Sequence, residues 1–119
     1  MLPPRDDLHF LLFDWLQAGT LAEQPAFAHV DRDSMDAMID AALDLAAAEF
    51  LPHAAKSDAN PPTFNDGRVA IIPEVAQALA AYRESGFFGM QAPLEEGGLG
   101  LPYTVAAASV ARATRVRDA

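Results

Sequence analysis

Ser34-Met-Asp-Ala-Met-Ile-Asp-Ala-Ala-Leu-Asp-Leu-Ala-Ala-Ala-Glu-Phe-Leu51 reads as one amphipathic helix. Met35, Met38, Ile39, Ala42, Leu43, Ala46 and Phe50 recur at spacings of three and four, which gathers them into a single apolar stripe. Ser34 is the predicted N-cap, because its hydroxyl can accept from an amide in the first turn. Pro52 is the predicted end, because proline lacks the donor that continues a helix. A stripe this long has to bury itself against other elements. The rest of the chain offers mainly helices for that purpose.

Upstream, Leu8, Leu11, Leu12, Trp15 and Leu16 recur at helical spacing, with Asp6 or Asp7 able to cap the first turn and Gly19 as the expected stop. A looser stretch with Pro25 and His29 fills 20–33. Downstream, 53–72 reads as an irregular connection that includes Asn60-Pro-Pro62. Within it Asp66-Gly67, flanked by Phe64 and Val69, signals a small hairpin. Pro73 then opens a helix whose buried edge is predicted at Val75, Leu79 and Tyr82, with Gly86 as its left-handed cap. Phe87-Phe88-Gly89-Met90 is too short for a helix and is expected to be a buried extended link. Glu95-Glu96-Gly97-Gly98-Leu99-Gly100 reads as a turn, and a last helix starts near Pro102 or Tyr103. The expected architecture is all-α: a small bundle of about four helices with an irregular central connection.

The composition of the 119 residues fits this. Hydrophobic residues make up 51 % and charged residues 21 %, which is too apolar for a disordered chain. With no Cys there is no disulfide framework, thiolate metal site or thiol nucleophile, and the composition suits a reducing cytoplasm. A net charge of −9 argues against nucleic-acid binding, which needs clustered Lys and Arg. Apolar runs such as Ala78 to Tyr82 are too short to span a bilayer. The N-terminus carries Asp6 and Asp7 where a secretory signal would carry positive charge.

Several constellations could carry chemistry, and each also has a plain structural explanation. Asp36, Asp40 and Asp44 share one helix face, which suggests a cation site or, more simply, a solvated face of like charges. His9, His29 and His53 lack the spacing of a zinc site, so no metal ligand set is assigned; His53 at a helix end favours the helix dipole. Ser34, Ser57, Ser85 and Ser109 lie outside any Gly-x-Ser-x-Gly elbow, so no nucleophile and no catalytic residue is assigned. Gly97-Gly98-Leu99-Gly100 lacks the Lys-Ser/Thr of a phosphate loop, and Glu95 and Glu96 beside it would repel phosphate. Phe87, Phe88, Met90 and Leu94 concentrate apolar surface next to that turn. They serve either as core or as the wall of an apolar ligand pocket.

One ordered series is more specific. Gly86-Phe-Phe-Gly-Met-Gln-Ala-Pro93, then Glu95-Glu-Gly-Gly-Leu-Gly-Leu-Pro102, resembles the acyl-CoA dehydrogenase pattern G-(aromatic)-x-G-(apolar)-x-x-P-x-E-(aromatic)-G-G-x-G-(apolar). Leu8 to Trp15, Pro52-His53 with Asp58, Phe64-Asn-Asp-Gly-Arg-Val69 and Ile72-Pro-Glu-Val75 are similar to the longer members of that family, the subgroup acting on methylmercaptopropionyl-CoA and related thioesters. The likeness covers about residues 5–110. It implies the helical N-terminal domain of an FAD-dependent enzyme that removes an α-proton from an acyl-CoA with a catalytic Glu while the β-hydride passes to the flavin. In such an enzyme this domain supplies one wall of the acyl pocket, and the resemblance places Phe87, Phe88, Met90 and Leu99 there. FAD and the catalytic Glu are held by later domains, so no catalytic or cofactor-binding residue is expected in this chain, and FAD is not expected to bind it alone. Glu96 departs from the pattern by standing in place of an aromatic residue.

The ending departs too. Residues 1–111 hold five basic and sixteen acidic residues, a charge of −11, whereas Arg112, Arg115 and Arg117 crowd into 112–119. The division expected is a family-like domain over 1–111 and a basic tail over 112–119, as in a truncated or excised domain. The alternatives are an interaction module that self-associates or pairs with a separately encoded dehydrogenase subunit, and a non-functional remnant.

Overall fold

A computed structural model describes the backbone of residues 5–114 and the side chains of 5–111. Of the expected basic tail, only the helical backbone as far as Thr114 falls within that range, and the rest lies outside the described residues. The fold is mostly α, with one two-stranded hairpin. Helix α1 (Arg5–His9) runs directly into a π-helical turn over Phe10–Trp15. Two 3-10 turns, Ala18–Glu23 and Pro25–Phe27, lead to α2 (Arg32–Leu45). Then come α3 (Ala54–Ala59), strands β1 (Thr63–Asn65) and β2 (Arg68–Ala70), α4 (Pro73–Glu84) and α5 (Tyr103–Thr114).

The core lies where α2 meets α5. Met35, Ile39, Ala42 and Val105 are fully buried, and Leu12, Phe13, Val30, Phe87, Met90 and Leu101 close around them. Each large aliphatic side chain removed from water there contributes about 1.5–3 kcal/mol. Ala42, Ala46, Ala106 and Ala108 are buried too. Small side chains at these positions let the helices pack closely.

The apolar stripe of α2 is as expected, but its cap is three residues earlier. Asp31 is the N-cap, extended at ψ 175°, and its Oδ1 accepts from the Ser34 amide at 2.7 Å. Ser34 is thus in the first turn and supplies the donor. The helix does not end at Pro52: α2 widens into a π-helical turn over Ala46–Phe50, and Leu51–His53 form a 3-10 turn. Pro52 is accommodated near the start of that turn, where its missing donor is not needed. What read as an irregular connection therefore begins with helix α3, and the Lys56 ammonium on α3 pairs with Glu74 on α4.

Other boundaries move for similar reasons. Gln17, in the left-handed region at φ 52°, makes the first break, and Gly19 lies inside the following 3-10 turn. The expected hairpin is present, with Phe64 opposite Val69 and Asp66 and Gly67 both at positive φ. That pair of angles is the two-residue turn that suits twisted strands. Pro73 opens α4 and Gly86 closes it at φ 83°. Its buried edge is Ala78, however, with Val75 and Tyr82 half-buried and Leu79 exposed. Phe87–Gly89 form a 3-10 turn instead of an extended link, and this puts Phe87 inward and Phe88 outward.

The molecule is a slab of 51 × 33 × 18 Å with a radius of gyration of 16.2 Å, against about 13.5 Å for a compact chain of this length. Among the described residues, no helix is long and apolar enough to cross a membrane.

Candidate functional site

The Gly86–Pro102 segment folds into two turns that run side by side. The Leu99 amide donates to Gly89 O at 3.0 Å, Gly100 to Ala92 O at 2.9 Å and Leu101 to Met90 O at 2.8 Å. Gly98 is buried beneath Ala92, and a Cβ there would lie 2.1 Å from the Ala92 carbonyl oxygen. Only glycine permits that approach, so Gly98 is what lets the two turns pack together. The 3-10 turn at Leu94–Glu96 leaves Glu95 and Glu96 exposed.

Next to these turns is an open apolar cleft of about 540 Å³, bounded by Tyr82 of α4, by Phe87, Phe88 and Met90, and by Tyr103 and Val110 of α5. Tyr82 anchors it. Its ring stacks on Phe87 (centroids 5.1 Å apart, planes at 29°) and meets Phe88 edge-on at 4.9 Å and 75°. Burial raises the Tyr82 hydroxyl above its ordinary pKa. Phe87 and Met90 form the floor at 3 % and 4 % exposure, while Phe88 and Tyr103 stand at the rim at 67 % and 73 %. Of the residues expected at a pocket wall, Phe87, Phe88 and Met90 line this cleft. Leu99 does not: it packs against the core from the other side of the turn, beneath Gly86. Leu94 is exposed and also outside the lining. Tyr82, Tyr103 and Val110 complete the cleft from other elements. Tyr82 had a sequence signal in the apolar edge of α4, but nothing in the local pattern marks Tyr103, at the first position of α5.

A second cluster joins α1 to α2. Arg5 donates from Nε and Nη2 to the two carboxylate oxygens of Asp40 at 2.7 and 2.9 Å, and its Nη2 lies 3.6 Å from Asp36. His9 Nε2 lies 2.5 Å from Asp36 Oδ1. Asp36 and Asp40 are therefore half-buried and paired, which corrects the solvated-face reading for these two, while Asp44 remains exposed. His9, Asp36 and Asp40 come close enough together to be considered as ligands of one ion. Two ligands of a tetrahedral zinc would stand about 3.3 Å apart, farther than His9 and Asp36 do. The positive charge is already supplied by the Arg5 guanidinium.

Of the remaining candidates, His29, His53, Ser85 and Ser109 have structural partners. His29 Nε2 is 3.1 Å from Leu99 O. His53 is buried with its ring 6.3 Å from that of Phe50. The hydroxyls of Ser85 and Ser109 donate to the carbonyls of Ala81 and Val105, one turn back on their own helices. Compared with known proteins, the chain matches no protein-family model, and no curated protein sequence matches it.

Proposed function

We propose that this chain is a helical domain similar to the N-terminal domain of acyl-CoA dehydrogenases, presenting the cleft at Phe87, Phe88 and Met90 as one wall of an acyl-thioester pocket. The observation supporting this is a coincidence of place. Phe87, Phe88 and Met90, which belong to the stretch carrying the motif likeness, also line an apolar cleft. An acyl chain is unbranched and apolar, and an aromatic and methionine lining accommodates such a chain by dispersion contact and exclusion of water.

Among the described residues, the lining of the cleft carries no Lys, Arg or His, and Glu95 and Glu96 stand exposed on the neighbouring turn. The domain's own part is to bind and orient the acyl group, and the α-proton and hydride steps belong to other domains of such an enzyme. The flat slab, with a long exposed perimeter, suits a layer that packs against further domains.

A second reading, an interaction module, is favoured by the π-helical turn at Phe10–Trp15. Leu16 donates to Leu11 O at 2.9 Å, five residues back, and the turn carries Phe10, Leu11 and Trp15 with Leu16 at its end. All four are exposed, Trp15 at 69 %, and a cluster of this kind marks an association surface.

Reading the DNA beyond the Ala119 codon in all frames separates the two. The first reading expects coding sequence for a β-rich middle domain and a helical bundle with a flavin signature. A complete, separate dehydrogenase gene beside this one favours the second. Purified protein that is yellow and reduces an electron acceptor with an acyl-CoA would overturn the assignment of a wall without catalytic parts.

A further inference from the structure

We propose that His29 is a positioning residue for the cleft: it donates from Nε2 to the Leu99 carbonyl and so fixes the glycine turn to which the Phe87–Met90 wall is hydrogen-bonded. The inference rests on reading that cleft as the binding wall. The carbonyl can only accept, so the nitrogen 3.1 Å away carries the hydrogen.

The imidazole is held from its own side. Val30, the next residue, is 3 % exposed in the core, and Asp31 then caps α2. His29 thus leaves the chain at a point anchored on both counts. From the other side, Gly100 sits at φ 58°, and a Cβ on it would lie 2.7 Å from His29 Nε2 and 3.0 Å from Cε1. The glycine is what admits the ring to the Leu99 carbonyl. The contact is passed inward by the backbone, since Leu99, Gly100 and Leu101 donate to Gly89, Ala92 and Met90. Met90 is the floor of the cleft, and Phe88 its rim. His29 does not line the cleft and acts on it only through Leu99.

Amide hydrogen exchange on the whole chain, without ligand, tests this with His29→Ala and His29→Gln. In the alanine variant the Leu99, Gly100 and Leu101 amides should exchange roughly 3- to 10-fold faster, as expected for losing one hydrogen bond of ordinary strength. The Phe88 and Met90 resonances should shift with them. Glutamine places a donor nitrogen about where Nε2 stands, and should bring exchange back to within about twofold. Unchanged exchange in His29→Ala, no recovery in His29→Gln, or an equal acceleration at the Ile39 amide in the distant core would each overturn the proposal. Acyl-pantetheine added afterwards tests the cleft separately. Failure to bind with the exchange pattern intact counts against the acyl wall and not against the role of His29 in holding the turn.

Discussion

Arg5 and Asp40, 35 positions apart, meet through two parallel hydrogen bonds of 2.7 and 2.9 Å. Arg5 and His9 are four residues apart on the first helical segment, and Asp36 and Asp40 are four apart on α2. The two helices therefore face each other with matched rungs. Both partners are more than a third exposed on their side chains, so the pair fixes register more than it adds stability. Arg5→Ala and Asp40→Asn should each lower the melting temperature slightly at low salt. The loss should shrink at about 1 M salt, where charges are screened within a few ångströms. A loss that is insensitive to salt would mean packing, not charge, is what the pair provides.

Asp31 predicts an acid transition. The Ser34 amide holds its carboxyl below the ordinary value of 3.8. A carboxyl with a lowered folded-state pKa contributes its full stability above the unfolded value and loses it as pH falls through the folded one. Glu74, lowered by the Lys56 ammonium, adds in the same direction. Asp31→Asn keeps an acceptor for the cap without titrating. Urea midpoints at pH 7 and pH 3 should differ less in that variant than in the natural chain, and Asp31→Ala should be less stable than either at pH 7.

Tyr82 predicts the opposite limb. Burial raises its pKa above 10.0, so its contribution is complete below that value and is lost as pH climbs through the folded-state value. Tyr82→Phe removes the ionisation and keeps the ring against Phe87 and Phe88. Denaturation midpoints measured between about pH 9 and 11 should fall more steeply for the natural protein than for the variant.

Ile39 is fully buried at the centre of α2. Ile39→Ala should cost about 2–5 kcal/mol in chemical denaturation, from lost burial and the cavity left behind. A cost under about 1 kcal/mol would show that the α2–α5 packing can collapse onto the gap.

Gly97 and Gly98 should respond differently to alanine. Gly97 sits at φ 85° with open space around its missing Cβ, so Gly97→Ala carries only backbone strain, about 1–2 kcal/mol. Gly98→Ala drives a methyl into the Ala92 carbonyl. It should cost about 1–3 kcal/mol for overpacking and, unlike Gly97→Ala, shift the Phe88 and Met90 resonances. Equal effects on the cleft from both variants would contradict the side-by-side arrangement of the two turns.

The mostly helical fold was legible because its signals are local. The α2 stripe, Pro73, Gly86 and the Asp66-Gly67 turn each act within a few residues of themselves. The errors have two physical sources. Caps and ends compete: Asp31 and Ser34 are both capping residues three positions apart, and the pattern alone does not say which becomes acceptor and which donor. The π-helical turns at Phe10–Trp15 and Ala46–Phe50 also change the period, so Leu11, Trp15 and Leu16, apolar at α-helical spacing, end up exposed. In the candidate site, Phe87, Phe88 and Met90 stood out as a dense apolar run. Tyr103 and the contact of His29 with Leu99, 70 positions away, depend on tertiary approach, which has no local trace. The match between Arg5/His9 and Asp36/Asp40 was present in the spacing, and basic and acidic residue types at equal intervals were the sign that could have revealed it.

The cleft's preference for an acyl chain is tested most directly by following the Met90 methyl resonance while the protein is titrated with pantetheine thioesters from acetyl to octanoyl. The account predicts saturable shifts at Met90 and Phe88 that grow with chain length, with no response to pantetheine alone and none at the fully buried Met35. Shifts independent of chain length, or no shift at Met90 with the longest thioester, would contradict it.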